Sequence, residues 1–587
     1  MKNIRDKFEN YFTSLGLIIY QYRYLSLLSV LALTTTLLLQ LPLLSIDISN
    51  DAFYDPDDPI RVEYDEFRHR FGKDDHIYIG IKPDQVFDSA FLKQLQQLHH
   101  EIEEKIPYLK KVTSLINVRN TYGLDDELIV EDLIDPIPES LAQLEALKAK
   151  AMSNVFYQNY LLSVDGQFTF IDIEPMAVTT NNAAEGDNLR YISTEEYSKM
   201  IDVLRPLLDN YNSPSFKTYI AGFPVITDKL TRAIEQSMAE LTPITMVVNI
   251  IFLSILFRCL SGVIYPIIIV SITIVSTVGV MAWLSIPIDL VTTILPTLLT
   301  VVAIADSVHL LSGFYQEYQN NGGDKKAAIA HSMGRNGLAI FMTSITTAVG
   351  LASFLLADLA PVAHLGIAAP LGIILAFIYT IILLPALIAI FPISKTKADY
   401  SISTIGDQLL DWIADVTSRR YKGIISTSAL LLIVGIVGAT QLNISHNSLR
   451  WLPDDSIVKT DTTMIDKALG GSVAIEIVID TGKKNGLYDP QLIKQLEASD
   501  NIIKNLGSEQ IIIGKSNSLH TIIKEVNRAL QANNNDFYRV PDSSNLIAQE
   551  LLLFELSAAE DLHKLVDSDY SMVRFTIMVP FSDAIEL

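Results

Sequence analysis

Cysteine is almost missing from this 587-residue sequence. Cys259 stands alone, so no internal disulfide and no cysteine-built zinc site can form. Net positive charge is missing too: 67 Asp and Glu outweigh 44 Lys and Arg, leaving −23. Without clustered Lys and Arg there is nothing to neutralise phosphates, which excludes nucleic acid as a partner. Two short patterns fail at one residue each. HHEIEE (99–104) has Glu104 where an HExxH helix needs its second metal-binding His, and IGKSNS (513–518) has Glu509 where a phosphate loop needs its first Gly. No enzyme motif remains, so neither a catalytic residue nor a cofactor or metal is expected.

What the sequence does have is long apolar runs. Hydrophobic residues make up 49% of the chain, and they are grouped into stretches long enough to cross a bilayer. The runs at 24–46, 243–257, 263–284, 287–311, 338–357, 362–391 and 423–442 read as seven spans. The first follows Lys2, Arg5, Lys7 and Arg23 and ends in LPLLSIDIS without a small-residue cleavage site, which makes it an uncleaved anchor. Short cytoplasmic loops are enriched in Lys and Arg. With the N-terminus inside, Arg258, the set Lys325, Lys326 and Arg335, and the set Lys395, Lys397, Arg419, Arg420 and Lys422 all fall inside. The expected order is a cytoplasmic N-terminus (1–23), span one (24–46) and an extracytoplasmic segment (47–242). A five-span bundle (243–392) with a cytoplasmic segment (313–337) follows, then a cytoplasmic linker (393–422), span seven (423–442) and a second extracytoplasmic segment (443–587).

The first extracytoplasmic segment alternates strand and helix patterns. HIYIGIK (76–82), an amphipathic helix (89–106), LKKVTSLINV (109–118), QFTFIDIE (167–174), a helix (194–208) and FKTYIAG (216–222) give β-α-β-β-α-β, with a helical insertion near 138–156. That is the ferredoxin-like order. The pattern then repeats: IDISNDAFYDPDDPI (46–60) after span one matches LNISHNSLRWLPDDSI (442–457) after span seven, with Pro56 against Pro453. A strand and a helix carrying LKQLQQL or LIKQLEA follow each. RFTIMVP (574–580) matches FTFIDIEP (168–175), so the second half reads as an incomplete repeat, from a truncated chain, a fragment or an incomplete gene model.

Span four, PIDLVTTILPTLLTVVAIADSVHLLS (287–312), holds an acid and an imidazole inside its apolar run. An ionised Asp at the centre of a spanning helix costs about 2.5–3.5 kcal/mol, so such a residue faces a bundle interior and usually works. Asp306 is therefore the candidate proton site. His309 lies one turn on, and Thr343 and Thr347 share a face of span five; all three are candidates for relay support. Asp289, just after Pro287, reads as a helix-start acid at the outer surface, and Asp358 and His364 flank a short outer loop in the same way. Ala368, Gly372 and Ala376 form a small-residue stripe, and Pro385 would weaken or kink span six.

AIADSVHLLSGFYQE (303–317), KKAAIAHSMGRNG (325–337), TSITTAVGLASFLLADLAPV (343–362) and LLPAL (383–387), with SNSLHTIIKEVNRAL (516–530), VPDSSNLIAQELLLFE (540–555) and VDSDYSMVRFTIMVP (566–580), carry a resemblance. The chain resembles the RND superfamily, in its MMPL-like predicted-exporter branch with a sterol-sensing-type membrane core. The resemblance implies a polytopic α-helical membrane protein with α+β ferredoxin-like, porter-type periplasmic domains, in a bacterial inner membrane. It implies export of hydrophobic or amphiphilic, lipid-like molecules driven by protons carried on an acid of span four, whose place Asp306 occupies. The common Gly-x-x-x-Asp-Tyr form of that motif is altered here to Val302 and Ser307. The implied partners are protons, a lipid-like small molecule, and either a second copy or a periplasmic protein. Two alternatives are a non-transporting lipid- or sterol-sensing module, in which Asp306 is dispensable, and a proton-driven helper in protein export.

Overall fold

The computed structural model describes residues 2–73, 75–124, 127–154, 156–180, 189–393, 404–442, 447–506 and 513–583. The segments 394–403 of the expected linker and 443–446 of the second repeat signature lie outside the described residues. The chain forms two compact units. Met1–Pro56 with Arg232–Asn443 makes a helical unit, and Asp57–Thr231 with Ile444–Leu587 makes a sheet unit.

In the helical unit, seven helices among the described residues are long and apolar enough to cross a membrane: Arg23–Leu43, Phe223–Phe257, Leu260–Trp283, Thr292–Asn320, Lys325–Leu356, Ala360–Ile390 and Tyr421–Ala439. They are spans one to seven below. Two begin well ahead of their apolar runs. The helix of span two already starts at Phe223, well ahead of Pro243, and that of span five at Lys325, so the basic stretch 325–337 is continuous with the apolar one. Asp324 caps this helix, accepting from the N–H groups of Lys326 at 2.9 Å and Ala327 at 3.3 Å.

Span six is the packing centre. Ala368 and Ala376 are buried, and a Cβ on Gly372 would lie 2.7 Å from Leu299 of span four and 2.9 Å from Thr277 of span three. The small-residue stripe thus lets three helices approach, as lipid-embedded bundles require when no hydrophobic effect drives them together. The helix continues through Pro370 and Pro385. The first residues are more than a basic tail. Lys2–Gln21 is a helix whose Phe12 and Ile19 are buried, and Gly337 on span five makes room for it, since a Cβ there would lie 2.5 Å from the Phe12 ring.

The sheet unit holds a four-stranded antiparallel sheet of β1 (Ile77–Pro83), β2 (Leu109–Thr113), β3 (Thr169–Pro175) and β4 (Phe216–Ala221), in the order β2-β3-β1-β4. The helices Ser89–Lys105 and Thr194–Tyr211 make the two crossovers. The first starts at Asp88, which accepts from Phe91 N–H at 3.0 Å; the second starts at a capping box of Ser193 and Glu196. Leu92, Leu95, Leu98 and Ile102 from one helix, with Met200, Ile201 and Leu204 from the other, are buried in one core with Ile77, Ile79 and Ile81. β2 is shorter than its apolar pattern. Asn117 turns the chain by donating to the Val112 carbonyl and accepting from Ser114 N–H, and a separate hairpin, Arg119–Leu124 with Glu127–Asp132, follows.

A second sheet holds β5 (Val473–Asp480), β6 (Ser516–Asn517) and β7 (Met572–Val579) in the order β6-β7-β5. The helices Pro490–Leu506, Leu519–Leu530 and Ser544–His563 accompany it. With strands counted by their sequence position in each sheet, the orders are two-three-one-four and two-three-one.

Candidate proton site and cavity of the sheet unit

Asp306 lies near the middle of span four and is 4% exposed. Its Oδ2 accepts from Ser344 Oγ of span five at 3.2 Å. Next to it, Ser307 is fully buried, and its hydroxyl has no partner among the described residues. The arrangement is an acid enclosed by apolar helices and met, among the described residues, by the Ser344 hydroxyl.

Of the supporting residues expected from sequence, none is brought to Asp306. Thr343 donates to the carbonyls of Ala339 and Ile340, Thr347 donates to that of Thr343 at 2.7 Å, and both are exposed. The reason is helical phase. The buried face of span five runs Gly337, Ile340, Ser344, Ala348, and Thr343 is rotated about 100° from Ser344. A hydroxyl off the packed face has its own preceding carbonyl as nearest acceptor. Ser344 was missed, although its spacing from the apolar Ile340 and Ala348 marks it as an inward position. The His309 side chain is exposed, and it is the backbone carbonyl of His309 that is engaged, by Asn336 Nδ2 at 3.1 Å.

Asp289 departs from expectation in the other direction. The surface helix-start acid is 1% exposed and meets His364 Nδ1 at 2.9 Å. It does serve the helix start, accepting from the N–H groups of Val291 and Thr292. Asp358 is exposed as expected.

The sheet unit encloses a cavity of about 590 Å³, lined from both of its sequence stretches. Several of its charges are paired in advance. Asp172 accepts from Tyr160 at 2.7 Å and meets His76 Nδ1 at 2.7 Å. Asp561 holds Lys111 at 2.9 Å and Arg119 at 3.3 Å, and Glu476 takes Arg574 through both oxygens at 2.5 and 2.8 Å. Behind this wall, Glu174 accepts from Lys564 at 2.5 Å and Lys110 at 2.8 Å. Burial opposes the charge on His76, but Asp172 and Glu174 outweigh it and hold the imidazole above its ordinary value. Burial likewise works to raise Glu174, yet Lys564, His76 and Lys110 pull it down to about 2. Phe156, Tyr157, Tyr78 and Phe554 add aromatic surface, and Lys515 lies over the rings of Phe156 and Tyr160. Paired charges with aromatic walls suit a ligand that is polar at one end and apolar at the other, because no large net charge is left to select a simple ion.

Two comparisons with known proteins bear on these sites. Residues 91–402 match the model of the MMPL family, a stretch that contains Asp306, Ser344, Asp289 and His364. A membrane protein of Methanocaldococcus jannaschii is 27% identical over 340 residues, which cover 57% of this chain and 82% of the relative.

Proposed function

This chain belongs to the MMPL family of RND-type membrane transporters, and from that premise we propose that it exports hydrophobic or amphiphilic, lipid-like molecules at the expense of a proton gradient. The observation that carries the proposal is the buried carboxylate of Asp306 on span four, with Ser344 as its hydroxyl partner. Protonation neutralises a charge that the surrounding helices cannot solvate, and loss of the proton restores it, so the packing of spans four and five differs between the two states. Each proton moved across 100 mV supplies about 2.3 kcal/mol to drive that difference. The cavity of the sheet unit is the candidate place for the substrate, with a polar head among the paired charges and an apolar part against Phe156, Tyr157 and Phe554.

In this reading the N-terminus is cytoplasmic, the membrane is a bacterial inner membrane, and residues 47–242 and 443–587 are extracytoplasmic. The strand order β2-β3-β1-β4 with two crossover helices supports a ferredoxin-like porter domain, and the order β6-β7-β5 supports an internal repeat.

The test uses the purified chain in vesicles holding a pH dye and a phospholipid bearing a fluorescent nitrobenzoxadiazole head label. Lipid efflux should be coupled to proton movement in the unaltered chain. Asp306→Asn should abolish both with normal insertion, and Asp306→Glu should retain part. Unaltered lipid-coupled proton movement in Asp306→Asn overturns the proposal and promotes the lipid-sensing alternative.

A further inference from the structure

The helical unit buries a second acid, and its surroundings exceed what a helix start requires. Asp289 Oδ1 accepts from Val291 N–H at 3.0 Å and Thr292 N–H at 2.8 Å, while Asp289 N–H donates to Thr292 Oγ1 at 2.8 Å. That reciprocal cap is complete with one oxygen. The other oxygen is committed to His364 on the first turns of span six, at 2.9 Å. Asp289 is sealed, whereas 22% of the His364 side chain is exposed, so one member fixes the geometry and the other reaches the bundle surface. The loop that carries the acid is stitched to the segment leaving span one. Ile288 N–H donates to the Ser45 carbonyl at 2.8 Å, and Asp47 N–H donates to the Ile288 carbonyl at 3.0 Å.

The other ionisable groups on the elements packed here are all acids. Asp47, whose carboxylate takes Ser49, and Asp51 lie on the segment after span one, and Asp358 lies on the turn before span six. The adjoining ends of spans three and five carry no charged residue. A partly exposed histidine whose ring nitrogen meets a buried carboxylate at hydrogen-bond distance is a group that can hold a proton against that carboxylate.

We propose that Asp289 and His364 form a second proton-binding site, at the end of the bundle remote from the 321–324 turn. In the neutral ring, Nδ1–H donates to Asp289, and the lone pair of Nε2 takes a proton from hydronium, which leaves as water. The product is an imidazolium held against a carboxylate that stays ionised. Asp289 stands 17 residues before Asp306 in sequence, just ahead of the start of span four at Thr292. Buried hydroxyls stand on three helices of the bundle: Ser276 on span three with Tyr379 and Thr380 on span six, while Thr277 of span three and Thr300 of span four donate to their own helices at the Thr273 and Pro296 carbonyls. Tyr379 donates to Ser276 at 2.8 Å, and the Thr380 hydroxyl has no partner among the described residues. Delivery of the proton along these groups toward Asp306 rests on the reading of Asp306 above; binding at His364 does not.

The test is the titration of His364 in the full chain, held in lipid nanodiscs with 15N-labelled histidine. His364→Gln identifies the ring's signals. The ring is expected to change protonation between pH 4 and 9. In the neutral state the unaltered ring should carry its proton on Nδ1, where Asp289 accepts it; Asp289→Asn should lose that preference, and titration should persist in Asp306→Asn. A ring that keeps one protonation state throughout that range overturns the proposal in the unaltered chain, whether or not the Asp289 variant folds. A neutral ring whose nitrogen signals are indifferent to Asp289→Asn overturns it as well. Failure of the Asp306 reading would show instead as lipid-coupled proton movement surviving Asp306→Asn, with the His364 titration intact.

Discussion

Ser344 Oγ lies 3.2 Å from Asp306 Oδ2 and 2.8 Å from the carbonyl of Ile340, one turn back on its own helix. A hydroxyl has one proton to donate, so these acceptors compete for it. An ionised Asp306 draws the proton across, and a protonated one releases it to Ile340. Ser344→Ala should therefore move the pH midpoint of proton-coupled lipid efflux by up to about one unit, the worth of one charge-assisted hydrogen bond. Thr343→Val and Thr347→Val should leave that midpoint unchanged, because those hydroxyls bond their own helix. A pH series of efflux rates in vesicles separates the three variants.

Glu174 is the anchor of the wall behind the cavity. Its value of about 2 lies below the ordinary 4.5, so the stabilisation it brings is fully present above about pH 4.5 and is lost as pH falls from there through about 2. Lys564→Met removes the nearer of its two cations and leaves a buried carboxylate half paired. Stability at pH 7 should drop by about 2–4 kcal/mol. The gap between variant and unaltered chain should narrow as pH falls from 4.5 toward 2, read as melting temperatures from the near-UV signal of the full chain.

Glu550, on the helix Ser544–His563, is 1% exposed, and both of its carboxylate oxygens are without a hydrogen-bond partner among the described residues. Burial pushes it up to about 8 from 4.5. The folded chain then holds a proton that the unfolded chain gives up between those values, so stability falls as pH rises from about 4.5 to about 8. Glu550→Gln keeps the shape without the ionisation. The variant should match the unaltered chain near pH 4.5 and exceed it by about 4 kcal/mol at pH 8. Equal pH dependence of the two melting curves would show that this carboxyl gains a partner on ionising.

The proposed orientation is read with single thiols in a Cys259→Ser background. Asn320→Cys, at the end of span four, should resist a membrane-impermeant maleimide in intact cells, and Asp55→Cys, on the segment after span one, should react. The reverse labelling would invert the protein in the membrane and with it the direction of transport.

Apolar runs and two-residue alternation sufficed to read the seven spans and most of the strands of the sheet unit, because hydrophobic burial acts on local sequence and period. The same local logic picked out Asp306, since an acid inside an apolar run is costly wherever that helix goes. It failed where a residue's partner comes from another helix. Thr343 and Ser344 are adjacent in sequence and chemically alike, and only the rotation of span five against span four decides which of them meets the acid. Asp289 looks like any helix-start carboxylate until span six brings His364 to its second oxygen. The helix at the N-terminus carries no sign that Gly337, more than three hundred residues away, makes room for Phe12. Composition and periodicity therefore determined that this chain enters a membrane, where it does so, and which acid is costly there. The tertiary structure alone decided which hydroxyl and which imidazole those acids meet, because such contacts depend on helix phase and close approach rather than on the hydrophobicity of any one segment.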